Sequence, residues 1–232
     1  MQIKDAVVLV TGGNRGLGKA IVDEVLARGA RKVYATARDP RTITNPDVEP
    51  LALEVTDPDS IAAAARAATD VTFLVNNAAG AVGASYLGST VDDVRREFET
   101  NFFGTLNVTR AFVPHIVAAG GGHLLNIHSA LSWLALSGSY SASKAALWSM
   151  TNSLRLELRP QGVGVTGLHV GYIDTDMTAH ITSPKIAPAE VARQAIDGVE
   201  ADAYEVLADD VSRRVKAGLA GELAALYPQL AA

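Results

Sequence analysis

Short apolar runs alternate along the chain with longer stretches in which alanine, leucine and valine recur every three or four positions. AVVLVT (6–11), KVYATA (32–37), LALEV (51–55), VTFLVNN (71–77), HLLNIHS (123–129), GVTGLHV (164–170) and YEVLA (204–208) have the composition and turn-forming flanks of buried strands. Helical spacing predicts helices over Gly18 to Arg28, Val91 to Ala119 and Gly138 to Leu158, with shorter ones after Pro58, after Pro188 and near the C-terminus. Seven strands alternating with helices predict an α/β protein built on a doubly wound parallel sheet with helices on both faces. The segment Arg38 to Pro50 carries Pro40, Pro46 and Pro50, and is expected to be a loop in the place of a helix.

Composition narrows this picture. With 232 residues, 48% hydrophobic and 19% charged, the chain is expected to form one packed domain over residues 1–232. A net charge of -5 provides no broad basic face, so a small soluble molecule is the expected partner and nucleic acid is not. The absence of cysteine excludes disulfides and thiolate metal sites, and the five histidines lack metal-ligand spacing, so no metal is expected. No apolar run approaches the roughly 20 residues that cross a bilayer. MQIKDAVVLV enters a strand pattern without the layout of a signal peptide, so a cytoplasmic location away from membranes is the expectation.

Candidate chemistry begins at VVLVTGGNRGLGKAI, where Gly12, Asn14, Arg15, Gly16, Leu17 and Gly18 join the first strand to the first helix. Glycines at such a turn let the chain fold sharply and let backbone amides approach a pyrophosphate at the positive end of a helix. Nineteen residues past Gly18, where a carboxylate would bind a ribose 2′-hydroxyl, stand Ala37 and Arg38. Arg38 and Arg15 could pair with a 2′-phosphate, which favours NADP(H) over NAD(H); Asp39 is the rival signal if the strand ends later.

The second centre is SALSWLALSGSYSASKAAL (129–147), with Tyr140 and Lys144 four residues apart on one helix face. A free phenol titrates near pH 10, and an ammonium about 5 Å away at an effective dielectric of about 20 would lower that by about two units. Tyr140 would then serve as a general acid/base at a carbonyl, with a serine hydroxyl from the preceding strand end as a second donor to the developing alkoxide. His128 beside Ser129 suggests a hydrolase, but NIHSAL lacks the GxSxG turn.

The order TGxxxGxG, LVNNAAG, NFFG and YSASK resembles the short-chain dehydrogenase/reductase family over roughly residues 5 to 210. That resemblance implies a Rossmann-type fold and an NADP(H)-dependent carbonyl reductase or alcohol dehydrogenase. By it Tyr140 is the acid/base, and Lys144 tunes Tyr140 and binds the nicotinamide ribose. Asn101 holds a water in a proton relay, and Ser129 orients the substrate oxygen. Ser129 lies eleven residues before Tyr140, closer than usual in the family, so Ser132 stands as an alternative. The resemblance also places Glu54 and Val55 beside the adenine. Asn76 and Ala78 form a cofactor-side turn, in which Asn77 is structural. Gly171, Ile173 and Thr175 follow the sixth strand near the nicotinamide, with Val170 where relatives have proline. Leu131, Trp133, Leu134, Tyr172 and Met177 are expected to wall an apolar substrate pocket. A homodimer or homotetramer is also implied. The rival readings are a nucleotide-sugar epimerase, disfavoured by the glycine spacing, and a cofactor-binding sensor without catalysis.

Overall fold

A computed structural model describes residues 1–230. Its centre is one parallel sheet of β1 (Val7–Val10), β2 (Lys32–Ala37), β3 (Glu49–Ala52), β4 (Phe73–Asn76), β5 (Gly122–Ile127), β6 (Val163–His169) and β7 (Glu205–Leu207). The strand order is β3-β2-β1-β4-β5-β6-β7, all pairs parallel. The order reverses between β1 and β4, and ligands in such sheets bind in the crevice that opens there at the carboxyl ends of the strands.

Alternation along each strand decides which helix it meets. Val8 and Val10 of β1 face α1 (Gly16–Ala27) and α6 (Pro188–Glu200), packing with Ile21, Val25, Val191 and Ile196. Val7 and Leu9 face the other layer, where α2 (Pro58–Ala67), α4 (Thr105–Ala118) and α5 (Gly138–Leu158) contribute Ile61, Phe112, Ile116 and Leu154. Both faces are covered, which is why the central strands read as unbroken apolar runs. A shorter α7 (Asp210–Gly218) closes the β7 edge.

Two elements depart from the sequence expectation. The third strand runs over Glu49–Ala52 rather than 51–55, so its N-terminal half lies in the expected loop. β3 pairs with β2 alone, and at such an edge Pro50 lacks an N–H that no neighbour requires. The long helix expected over Val91 to Ala119 is interrupted: α3 (Val91–Phe98) passes into a π-helical segment, Glu99–Gly104, before α4. Gly104 ends that segment where a Cβ would stand 3.0 Å from both Cγ2 and the carbonyl oxygen of Val55, so glycine permits the close approach to the β3 end. A π turn inserts a residue into the helical ladder, a feature found frequently at functional sites. Among the described residues no helix is long and apolar enough to cross a membrane.

Candidate active site

The glycine turn leaves β1 at Thr11 and doubles back with Gly12 (φ 65°) and Gly16 (φ 53°) in left-handed conformations that favour glycine. Gly18 is required sterically, since a Cβ there would lie 2.1 Å from the Gly12 carbonyl oxygen. Asn77 donates from Nδ2 to the carbonyl oxygens of Thr11 (2.9 Å) and Gly12 (3.3 Å). Thr11 Oγ1 in turn accepts from the backbone N–H groups of Asn77 and Ala78, both at 2.9 Å. These bonds fix the turn to the end of β4. Arg15 caps α1 without a side-chain hydrogen bond, so the first-turn amides of Gly16, Leu17 and Gly18 retain their donors for a ligand. Thr175 faces the turn across the crevice, its Cγ2 3.3 Å from where a Gly16 Cβ would stand.

β2 ends at Ala37, so Arg38 is the first residue beyond the strand. Its guanidinium is 81% exposed, with Nε 3.9 Å from Glu54 Oε2. Arg15 is also exposed and pairs with Asp176 at 3.4 Å. Asn14 donates to Thr42 Oγ1 at 3.1 Å, closing the turn against the post-β2 loop. Asp39 is taken by Arg41, with both carboxylate oxygens 2.9 Å from its guanidinium nitrogens. Glu54 accepts from the N–H and hydroxyl of Thr56, and Val55 is buried against Gly104. The second oxygen of Glu54, Oε2, makes no hydrogen bond among the described residues and lies 3.9 Å from Arg38 Nε.

Asn76 also differs from the expectation. Its side chain enters the layer beneath α4 and α5, where Nδ2 donates to Thr109 Oγ1 (3.0 Å) and Asn126 Oδ1 (2.9 Å), and Asn126 donates to Thr151 Oγ1 (2.8 Å). Strand alternation directs Asn76 inward and leaves Asn77 to the crevice.

Tyr140 and Lys144 lie on the first two turns of α5. Lys144 Nζ is 5.8 Å from the centre of the Tyr140 ring and donates to the Ile127 carbonyl oxygen at the β5 end (2.9 Å). Ser129 follows Ile127 by two residues; its Oγ accepts from Leu131 N–H (3.1 Å), and its hydroxyl acts on the Tyr140 phenol to hold it down. Ser132 is turned away: its Oγ accepts from the Ser129 N–H at 3.3 Å. The expected depression of the Tyr140 phenol is not found. Burial pushes it up to about 12, and burial also lowers Lys144 to about 8. Both charged forms are penalised on leaving water, and that penalty is the largest cause of each shift.

Asn101 is fully buried within the π segment, and both ends of its side chain are engaged. Oδ1 accepts from Gly80 N–H (2.8 Å), while Nδ2 donates to Gly80 O (3.1 Å) and Ser143 Oγ (3.0 Å). The Asn101 side chain ties the loop after β4 to α5. Gly171 N–H is held by Asp209 Oδ2 at 2.7 Å, and Ile173 bridges to Ile186, closing the base of the segment that contains Thr175 and Met177.

Of the expected pocket walls, Tyr172 (41% exposed) and Met177 (46%) are open, and Leu131 and Leu134 are half-buried. Trp133 is not a wall: it is buried and stacked on His169, with Lys216 over its ring. Sequence reasoning missed the loop Val82–Leu87. It packs on the start of α5 through Tyr86, whose hydroxyl donates to Gly138 O (3.0 Å), and it exposes Val82, Tyr86 and Leu87 beside the cleft. No local spacing marks that loop; only the fold brings it to Tyr140. Among the described residues no cluster could hold a metal ion.

Residues 6–186 match the family model of the short chain dehydrogenases. The chain belongs to this family. A short-chain dehydrogenase from Burkholderia cenocepacia, solved in complex with NADP, superposes with a TM-score of 0.94 at 38% identity, covering 100% of both chains. The NADPH-dependent 1-acyldihydroxyacetone phosphate reductase of Schizosaccharomyces pombe is 33% identical over 72% of this chain. This short-chain dehydrogenase spans 60% of the length of that yeast relative. D-erythrulose reductase of Gallus gallus is 34% identical over 73% of this chain and 72% of its own length.

Proposed function

We propose that this short-chain dehydrogenase is an NADP(H)-dependent oxidoreductase that interconverts a carbonyl and an alcohol on a small apolar substrate. The observation that carries the reading is Tyr140 one helical turn from the buried Lys144, with Ser129 from the β5 end acting on the phenol, beside a crevice whose glycine turn holds unpaired amides. The cofactor fits the residues present. The first turn of α1 supplies N–H donors for a pyrophosphate, and Arg38 and Arg15 supply exposed positive charge where a 2′-phosphate would lie. Asp39, the one acid that would argue for NAD(H), is neutralised by Arg41. Two of the relatives are named reductases, one of them NADPH-dependent, and the solved Burkholderia relative carries NADP.

When bound, NADP(H) supplies or accepts the hydride. The chain's own residues manage the proton and the oxygen. Ser129 and Tyr140 donate two hydrogen bonds to the substrate oxygen, and Tyr140 passes its proton as negative charge develops there. Lys144 spends one N–H on Ile127 O and keeps two donors for the cofactor ribose. Asn101 holds the Gly80 loop against Ser143 and so fixes the wall of the cleft. Ala78, Gly171, Ile173 and Thr175 are the residues of this chain that would flank the cofactor, with Glu54 and Val55 at the adenine end, where Glu54 Oε2 lies 3.9 Å from Arg38 Nε. The exposed Phe103 and Leu156, beside α4 and on α5, suit a homodimer or homotetramer, which sedimentation of the 24.2 kDa chain tests directly.

A screen of apolar aldehydes and ketones with NADPH tests the activity. Turnover that falls at least about 10³-fold in Tyr140→Phe is expected for loss of an acid and its oxyanion contact. Undiminished turnover in that variant would remove the assignment.

A further inference from the structure

Glu97 of α3 is a buried acid close to the catalytic pair that no sequence motif marks. It is 1% exposed, and among the described residues no lysine or arginine forms an ion pair with it. Its Oε1 accepts from Val82 N–H (2.8 Å), and its Oε2 accepts from Gly83 N–H (2.8 Å) and the Ser139 hydroxyl (2.7 Å). The Ser139 oxygen itself accepts from Ala84 N–H (2.9 Å), so the hydroxyl proton must point to Glu97. Three donors converge on the two oxygens and no acceptor does, which is the geometry of an ionised carboxylate. A buried charge is costly unless it is compensated, so its presence beside Tyr140 calls for a reason.

The neighbourhood supplies one. Ser139 directly precedes Tyr140, and Val82 to Ala84 form the loop that packs on the start of α5. The arginines of α3 are directed elsewhere, Arg95 to Asp92 and Arg96 to Asp93. The titratable groups facing the catalytic pair are Glu97 from α3 and His128 from the end of β5, and burial keeps His128 neutral. Among the described residues, the carboxylate, held 2.7 Å from the hydroxyl of the residue preceding Tyr140, is therefore the fixed negative charge acting on both Tyr140 and Lys144. We propose that Glu97 is a positioning residue that keeps the ammonium on Lys144 and the proton on Tyr140, while its three hydrogen bonds lock α5 to the Val82–Ala84 loop. The proposal rests on the reading of Tyr140 and Lys144 as the catalytic pair. It fits carbonyl reduction at neutral pH, which needs a neutral phenol and a cationic lysine in a cleft where burial alone opposes the cation.

The test follows the Lys144 side chain in the ligand-free protein by carbon NMR of labelled lysine against pH, with the signal assigned by its loss in Lys144→Arg. A partly screened buried charge shifts a nearby titratable group by on the order of one pH unit. Glu97→Gln is therefore expected to lower the Lys144 midpoint by about one unit, whereas Ser139→Ala, which removes a hydrogen bond and keeps the charge, leaves it within about 0.3 units. An unmoved midpoint in Glu97→Gln, or an equal shift in Ser139→Ala, overturns the proposal. Should Glu97→Gln fail to fold, Glu97→Asp and Ser139→Ala decide. Both keep the charge, so wild-type midpoints support the proposal, and a displaced midpoint in both means that packing sets Lys144 and overturns it. An active enzyme whose Lys144 ignores Glu97 overturns this proposal alone. A Glu97-dependent midpoint in a protein that reduces no carbonyl supports the electrostatics and removes the catalytic reading instead.

Discussion

The imidazole of His169 lies flat on the indole of Trp133, with ring centroids 3.9 Å apart and planes 11° from parallel. His128 stacks against His169 at 4.7 Å, and Trp148 meets Trp133 edge-on at 5.9 Å. The stack sits directly behind Ser129, whose carbonyl oxygen is 3.4 Å from His169 Nδ1. Both tryptophans of the chain belong to it, so tryptophan fluorescence reports this cluster. Burial lowers His169 to about 4. Emission is expected to stay constant above pH 6 and to quench as His169 gains a proton nearer pH 4, with the change abolished in Trp133→Phe. A transition centred near 6.5 would show that the ring is solvated.

The buried histidines also set a pH limit on stability. Burial depresses His123 and His169 to about 4 and holds His128 well below its ordinary value of 6.5. The unfolded chain binds these protons at higher pH than the folded one, so stability rises with pH across that interval. The contribution is complete above about 6.5 and is lost as pH falls to about 4. Each group depressed to about 4 is worth on the order of 3 kcal/mol. Urea unfolding between pH 5 and 6 should weaken by more than one proton's worth of slope, about 1.4 kcal/mol per unit for each histidine. His123→Gln should remove one such increment, and an unchanged slope would contradict it.

The two serines should separate cleanly. Ser129 acts on the Tyr140 phenol, while Ser132 accepts from the Ser129 amide. Ser129→Ala is expected to lower kcat/KM by about 10²–10³, the usual effect of losing one oxyanion donor. Ser132→Ala should cost less than about tenfold. Reversed magnitudes would move the substrate oxygen deeper into the Ala130–Ser132 turn.

Cofactor preference rests on exposed charge. Arg38→Ala is expected to raise the KM for NADPH about 10- to 100-fold, equivalent to one charge-assisted phosphate contact, while the NADH parameters stay within about twofold. Arg15→Ala should do less, because Arg15 is shared with Asp176. Equal losses with both cofactors would show that the arginines act on the turn and not on a 2′-phosphate.

Local spacing was enough for much of this protein. The alternation of short β-branched runs with helical stretches specified a parallel sheet with both faces covered. The glycines of TGGNRGLG announced a tight strand-to-helix turn, because glycine adopts φ 65° and φ 53° without strain and a Cβ at Gly18 would stand 2.1 Å from a carbonyl oxygen. Tyr140 and Lys144 share a face because a helix repeats every 3.6 residues, whatever surrounds it. What the spacing could not settle depends on segments distant in the chain. Asn76 turns inward to Asn126 and Thr109, and Asn77 ties the glycine turn, because β4 lies between β1 and β5. Trp133 reads as a pocket wall until β6 supplies His169 to stack on it. Tyr140 and Lys144 suggest a depressed phenol until the fold buries both, and burial reverses the shift. Sequence determined which groups local geometry sets side by side. Tertiary structure decided their proton affinities and neighbours, because desolvation and packing are set by what the rest of the chain places against them.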